Sequence, residues 1–198
     1  MGRIICSFVL IVSAIGCAGG KEPERFFTKE YEAQVAKPVY TAAITVNGTI
    51  IGGGYDGMML YSENRGGAWS RTTNGIKSTR AIDCTGETII TTGLDAHPAI
   101  SHDSGKSYSA LTRKGLESAT TCRSITGGAD GGVFMSDGIS LYWLKSGAAA
   151  WKKQAMPSNA KCVSLSYQGE VLWMMDADGE LFRSADAAAT WKSVHRLQ

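Results

Sequence analysis

From residue 39 onward, apolar and polar positions alternate in short runs punctuated by glycine. A period of two with turn residues between the runs predicts β-strands rather than helices. The runs recur in a fixed order. Each cycle opens with a strand: Ala43-Ile44-Thr45-Val46, Ala81-Ile82-Asp83-Cys84, Ser124-Ile125 and Val163-Ser164-Leu165. A turn glycine follows (Gly48, Gly86, Gly127, Gly169), then a second strand such as Thr49-Ile50-Ile51 or Glu170-Val171-Leu172-Trp173. Three cycles continue with Asp56-Gly57, Asp137-Gly138 or Asp178-Gly179. That dipeptide tolerates positive φ and suits a two-residue hairpin turn. A third strand, a turn rich in glycine or alanine and an aromatic residue complete the cycle, the aromatic opening a fourth strand such as Trp69-Ser70-Arg71-Thr72.

The closing aromatics are Trp69, Tyr108, Trp151 and Trp191, separated by 39, 43 and 40 residues. A repeat of about 40 residues carrying four strands is the length of one propeller blade. The pattern therefore predicts an all-β fold, a small β-propeller of about four four-stranded blades over residues 39–198. Closure of the ring is the open question, because exposed strand edges left by an incomplete ring tend to pair with another chain.

The turn before each aromatic carries a family resemblance. Ser101-His102-Asp103-Ser104-Gly105-Lys106-Ser107-Tyr108 and Ser184-Ala185-Asp186-Ala187-Ala188-Ala189-Thr190-Trp191 resemble the Asp-box, or BNR repeat, of form S-x-D-x-G-x-T-W. The first copy keeps Ser62, Gly66 and Trp69 but has Asn64 for Asp, and the third keeps little beyond Trp151. In register with the 40-residue period, these turns are similar to those of the photosystem II assembly-factor and sortilin type of propeller. The resemblance covers about residues 40–195. It implies a structural role for the box residues: Asp and Ser side chains hold their own turn's N–H groups, Gly takes a conformation a Cβ disfavours, and the aromatic anchors the blade. It also implies that the boxes lie on an outer rim, away from the usual ligand face.

The N-terminus has different chemistry. Arg3 precedes an apolar stretch of 13 residues from Ile4 to Gly16, followed by Cys17. A spanning helix needs about 20 apolar residues, so this run suits a signal-peptide core, with a buried first helix as the competing reading. Ala14-Ile15-Gly16-Cys17 resembles the bacterial lipobox, with Ala14 where Leu is commoner. The resemblance implies residues 1–16 as a signal peptide, acyl chains on Cys17, and a tether over 17–38. Several chains on one cysteine anchor far more firmly than one. Ala18 after the cysteine looks like outer-membrane sorting. A secretory signal without lipidation is the simpler competitor.

Composition narrows the function. Twenty Lys and Arg oppose 18 Asp and Glu, a net charge of +2. Such balance argues against nucleic-acid binding through phosphate neutralisation. Asp-boxes also occur in sialidases, but those carry an Arg-Ile-Pro motif, an arginine cluster and about twice this length; the sequence has no Arg-Ile-Pro. P-loop, dinucleotide and nucleophile-elbow motifs are absent as well. Asp95, His97, His102 and Asp103 form the only local His/Asp group. The reading puts His97 and His102 at opposite ends of one strand, which leaves them short of the convergence a metal requires. No catalytic residue, metal or cofactor is expected. Behind Cys17, Cys84, Cys122 and Cys162 remain in an oxidising compartment. Cys122 and Cys162 stand at equivalent places one repeat apart, so a disulfide between them and three buried free thiols are both open readings.

The expectation is a non-catalytic binding or scaffold lipoprotein of the bacterial envelope, anchored to the bilayer through Cys17 and engaging a protein partner. A lectin-like glycan binder is the alternative. Ligand contacts in propellers come from loops at the strand ends. The repeat alignment gathers Gly53–Gly57, Gly93–Pro98, Ala129–Gly132 and Met175–Gly179 on one rim. Tyr55, Met58, Met59, Trp173, Met174 and Met175 would give that rim adaptable contacts or face inward as blade core.

Overall fold

The structure, a computed structural model, describes residues 39–157 and 159–196. The expected signal peptide over 1–16, Cys17 and the expected tether over 17–38 lie outside the described residues. Within them the chain forms 16 strands in four antiparallel sheets of four, each built from consecutive strands. Blade 1 comprises β1 (Val39–Ile44), β2 (Ile50–Gly54), β3 (Met58–Ser62) and β4 (Ser70–Thr73). Blade 2 comprises β5 (Thr79–Thr85), β6 (Thr88–Gly93), β7 (Ala99–Ser101) and β8 (Ser109–Ala110). Blade 3 holds β9 (Ser124–Gly127), β10 (Val133–Ser136), β11 (Leu141–Leu144) and β12 (Lys152–Gln154). Blade 4 holds β13 (Cys162–Gln168), β14 (Val171–Asp176), β15 (Glu180–Ser184) and β16 (Lys192–Arg196).

The innermost strands set the order of the blades: β1 packs on β5, β5 on β9, and β9 on β13. Among the described residues no comparable packing joins β13 back to β1. The four blades make an open arc. Three of the inner strands share one irregularity, a register shift at Val39/Thr41, Thr79/Ala81 and Cys162/Ser164, which fixes their equivalent positions. Alternation along each strand gives every blade two apolar faces, so the core is divided among the junctions. Ile51, Met59, Ile82 and Ile89 fill the first junction. Ile90, Leu116, Ile125, Met135, Tyr142 and Trp151 belong to the second. Phe134, Leu141, Leu165, Leu172, Met174 and Phe182 fill the third.

The turns between third and fourth strands repeat one hydrogen-bond pattern. The Ser101 and Ser184 hydroxyls donate to Asp103 and Asp186 at 2.7 and 2.8 Å and accept N–H from Gly105 and Ala188 at 2.9 and 2.9 Å. Ser62 does the same with Asn64 at 3.0 Å and Gly66 at 2.8 Å. The Asp103 and Asp186 carboxylates also accept the N–H groups of Ser107 and Thr190, each at 2.9 Å. Slight burial works against the Asp103 carboxylate, but bonds from Ser107 and Ser101 hold it down at about 2. Bonds from Thr190 and Ser184 bring Asp186 to about 2 as well. Hydrogen bonding to the charged form favours it. The third turn lacks this network and closes instead by Ala148 N–H to Lys145 O at 2.9 Å.

The four aromatics stand in equivalent places, each immediately before its fourth strand. The Trp151 and Trp191 indoles donate backwards to the preceding blade, onto the carbonyls of Thr112 at 2.8 Å and Ala155 at 3.0 Å. They therefore tie blade to blade as well as filling space. Gly115 lies beneath Trp151 with φ of 92°, and a Cβ there would stand 2.1 Å from the Trp151 carbonyl oxygen.

Several expectations are corrected. Gly127 is not the turn glycine of blade 3; it ends β9, and the turn runs from Gly128 to Gly132, where Gly128 N–H meets Gly132 O at 2.9 Å. The blade 3 hairpin equivalent to the other three is Asp137–Ser140, so Ala129–Gly132 lies on the opposite rim. Of the two readings of the methionines, the inward one holds for Met58, Met59 and Met174: neighbours face opposite sides of a sheet, and both sides are buried. Cys122 and Cys162 are free thiols. They occupy different junctions, with blade 3 between them, and each Sγ turns to the carbonyl two residues along its own chain.

Trp151 is 3% exposed whereas Trp191 is half-buried. Trp151→Ala is therefore expected to cost about 3–5 kcal/mol, and more than Trp191→Ala, in chemical denaturation. Equal or reversed costs would remove the blade-bridging role assigned to Trp151.

Candidate binding cleft

The inner strands carry a polar residue at one repeated position: Asp83 on β5, Thr126 on β9 and Ser166 on β13. The pairing registers make them equivalent, opposite Ile90, Phe134 and Trp173 of the second strands. All three line a cleft of about 280 Å³ where the ends of β5, β9 and β13 converge, with Thr85, Gln168 and Ala129 at its edges. It lies on the rim formed by the turns between first and second strands, opposite the Asp-Gly hairpins. Hairpin loops alone were expected to build the ligand face; the structure places this cleft on the other end.

A hydrogen-bond relay spans three blades along the cleft wall. Asp83 Oδ2 accepts the Thr126 hydroxyl at 2.8 Å and the Gly127 N–H at 3.1 Å. Thr126 Oγ1 accepts the Tyr167 N–H at 3.0 Å. Burial pushes the Asp83 carboxyl above its ordinary range despite these bonds. The neighbouring Cys84 thiol is pushed up to about 12 by burial and by Asp83, which makes it a poor nucleophile. The Tyr167 hydroxyl donates to Asp130 at 3.1 Å, and burial followed by that carboxylate lifts its phenol to about 12. An added Cβ at Gly128 would stand 2.2 Å from the Tyr167 ring, so glycine there admits the ring to the wall.

Other candidate residues lie elsewhere. The box residues Ser62, Asn64, Gly66, Ser101, Asp103, Gly105, Ser184, Asp186 and Thr190 sit on the outer edge of the blades, remote from the inner strands. His97 pairs with Asp95 at 2.8 Å at one end of β7, while His102 reaches Thr88 at 3.4 Å at the other. Sequence reasoning passed over the Asp83, Thr126 and Ser166 series. Its signal was present: one polar residue at the same step of three first strands, each flanked by apolar neighbours such as Ile82, Ile125 and Leu165.

No family model and no curated protein matches the chain. Solved structures match in fold, and they define its class as a β-propeller. It is similar to YCF48 bound to D1 peptide, at 20% identity and a TM-score of 0.55 over 79% of this chain and 52% of that one. The extracellular domain of BT4673 from B. thetaiotaomicron matches at 16% identity and a TM-score of 0.65, covering 88% of this chain and 24% of that one. The GH74 xyloglucanase from Xanthomonas campestris matches at 15% identity and a TM-score of 0.59, covering 79% of this chain and 24% of that one. The chain thus spans about half or less of these three chains.

Because the folded Asp83 carboxyl is raised, its protonated form favours the fold, and that stabilisation fades as pH climbs through the elevated pKa. Asp83→Asn retains an acceptor without the charge. It is expected to be the more stable protein at neutral pH, with its advantage shrinking as pH falls through the elevated pKa and levelling off below 3.8, the ordinary carboxylate value. Thermal denaturation across pH checks this, and a pH-independent difference between the two proteins would contradict it.

Proposed function

We propose that this chain is a lipid-anchored Asp-box propeller of the bacterial cell envelope, a non-catalytic binding module for an extended segment of a protein partner. The observation that carries the reading is the cleft itself. Three rigid blades bring three repeat-equivalent strand ends to one polar groove, where backbone edges and the Ser166 and Gln168 side chains face an incoming chain. Its volume of about 280 Å³ falls just below the span of about 300–1,000 Å³ typical of small-molecule pockets, which favours insertion of part of a longer ligand. YCF48 offers a precedent, having been solved with a bound peptide. The non-catalytic reading rests on the chemistry of the lining. Asp83 is its only acid, already engaged by Thr126 and Gly127, whereas glycoside hydrolysis ordinarily pairs two carboxyl groups.

Glycan recognition is the competing reading, suggested by Tyr55, 38% exposed on the hairpin rim, and by the half-buried Trp173. These aromatics are far apart in the repeat and do not line the cleft. The two readings separate on a single pair of variants. Ala129→Trp fills the cleft edge and is expected to weaken binding of an extended-peptide library by about tenfold or more in fluorescence anisotropy, equivalent to about 1.4 kcal/mol. Asp178→Ala on the opposite rim is expected to leave it unchanged. Binding of xyloglucan oligosaccharides but not peptides, or indifference to Ala129→Trp, would overturn the peptide reading.

Membrane attachment rests on the Ala14-Ile15-Gly16-Cys17 sequence behind its apolar stretch. Cys17→Ala is expected to leave a soluble or uncleaved precursor and to abolish globomycin-sensitive processing. A mature N-terminus other than Cys17 in mass spectrometry would refute the anchor.

A further inference from the structure

Two inner strands, β5 and β9, hold the next through side-chain acceptors aimed at backbone N–H groups. Ser124 Oγ accepts the Leu165 N–H at 3.0 Å, and Thr126 Oγ1 accepts that of Tyr167 at 3.0 Å. One junction earlier, Asp83 Oδ2 accepts the Gly127 N–H at 3.1 Å. The register carries the same two positions onto β13 as Ser164 and Ser166, which lie opposite Met175 and Trp173 as Ser124 and Thr126 lie opposite Ser136 and Phe134. Neither hydroxyl has a partner among the described residues. The terminal strand thus repeats the gripping pattern with nothing among the described residues in its grasp.

The matching donors are in the same chain's first strand, out of its reach. Ala42 and Ile44 of β1 pair with Gly52 and Ile50 as Leu165 and Tyr167 pair with Met174 and Leu172, so their N–H groups occupy the gripped positions. Beside these two edges lie exposed apolar side chains: Ile44 is 55%, Val46 80% and Val163 44% exposed. Trp173, Met175 and Leu181 lie half-buried on the outward face of blade 4. On the corresponding face of blade 1, Met58 and Leu60 are already buried, which leaves the inner edge around Ala42 and Ile44 as the part still open.

We infer that two copies of the chain join head to tail, β13 of each gripping β1 of the other, to close one ring of eight blades. Ser164 and Ser166 accept the Ala42 and Ile44 N–H groups of the second copy, and Val163 covers its Ile44. A two-fold axis along the ring makes the two junctions identical and leaves no terminal face to recruit a third copy. The occupant is a second copy because the exposed strand that repeats the gripped register is β1 itself. Ser166 also lines the cleft, so the ring is tested by mass rather than by ligand binding.

Native mass spectrometry and sedimentation of the full chain in detergent test it. The wild type is expected at twice the chain mass. Ser164→Ala with Ser166→Ala, which deletes only two acceptors at half-buried positions, is expected to raise the dimer dissociation constant by about tenfold or more. Val163→Glu and Ile44→Glu are each expected to give monomers. Mixing those two variants restores a dimer, because one of its two junctions is then wild type on both sides. Ala129→Trp is expected to leave the mass unchanged, which separates this test from that of the cleft. A monomeric wild type, a dimer unaffected by the serine pair, or a mixture of Val163→Glu and Ile44→Glu that stays monomeric would overturn the head-to-tail ring. Capture of a different protein on β13 in place of the second copy would also overturn it.

Discussion

The structure depends on one constraint: a four-stranded sheet with two apolar faces needs a neighbour on each. A single blade buries neither face alone, so stability resides in junctions, as in other repeat architectures whose units contact only their neighbours. The chain meets this need three times, through Ile51 and Ile89, through Ile125 and Trp151, and through Phe134 and Met174. Backbone hydrogen bonds hold each blade together, but side chains that cross the junctions set the angle at which blades meet. Asp83, Ser124 and Thr126 do so at the axis, and the Trp151 and Trp191 indoles do so at the rim. Blades 2, 3 and 4 are therefore clamped to one another at both ends of their width.

Much of this was legible in the sequence because strand period and turn chemistry are local. Asp56 and Gly57, with φ of 52° and 69°, make the hairpin that their dipeptide announces. The aromatic spacing placed all four blades correctly. Blade 3 misled where its glycines cluster: Gly127, Gly128, Gly131 and Gly132 offer several sites for one turn, and the register is decided by pairing with β10. The buried methionines were ambiguous for a related reason, since neighbouring residues in a strand face opposite sides and a rim position differs from a core position by one step.

The cleft was the least legible part. Asp83, Thr126 and Ser166 are separated by about one repeat each, and nothing local marks them as neighbours. They meet because equivalent residues of successive blades lie side by side around the axis. The cysteines illustrate the converse. Cys122 and Cys162 are equivalent in the repeat, but equivalence puts them in successive junctions with a whole sheet between them.

That placement has a consequence of its own. Cys84 belongs to the first junction, Cys122 to the second and Cys162 to the third, one thiol for each seam between blades. All three are free, and burial raises the pKa of each. Cys84 is half-buried and lines the cleft, which gives a thiol reagent a route to it in the folded arc, whereas the buried Cys122 and Cys162 are reached only when the seams that shelter them part. The protein thus carries a built-in gauge at its second and third seams, and the order in which those two thiols become modified reports which seam opens first.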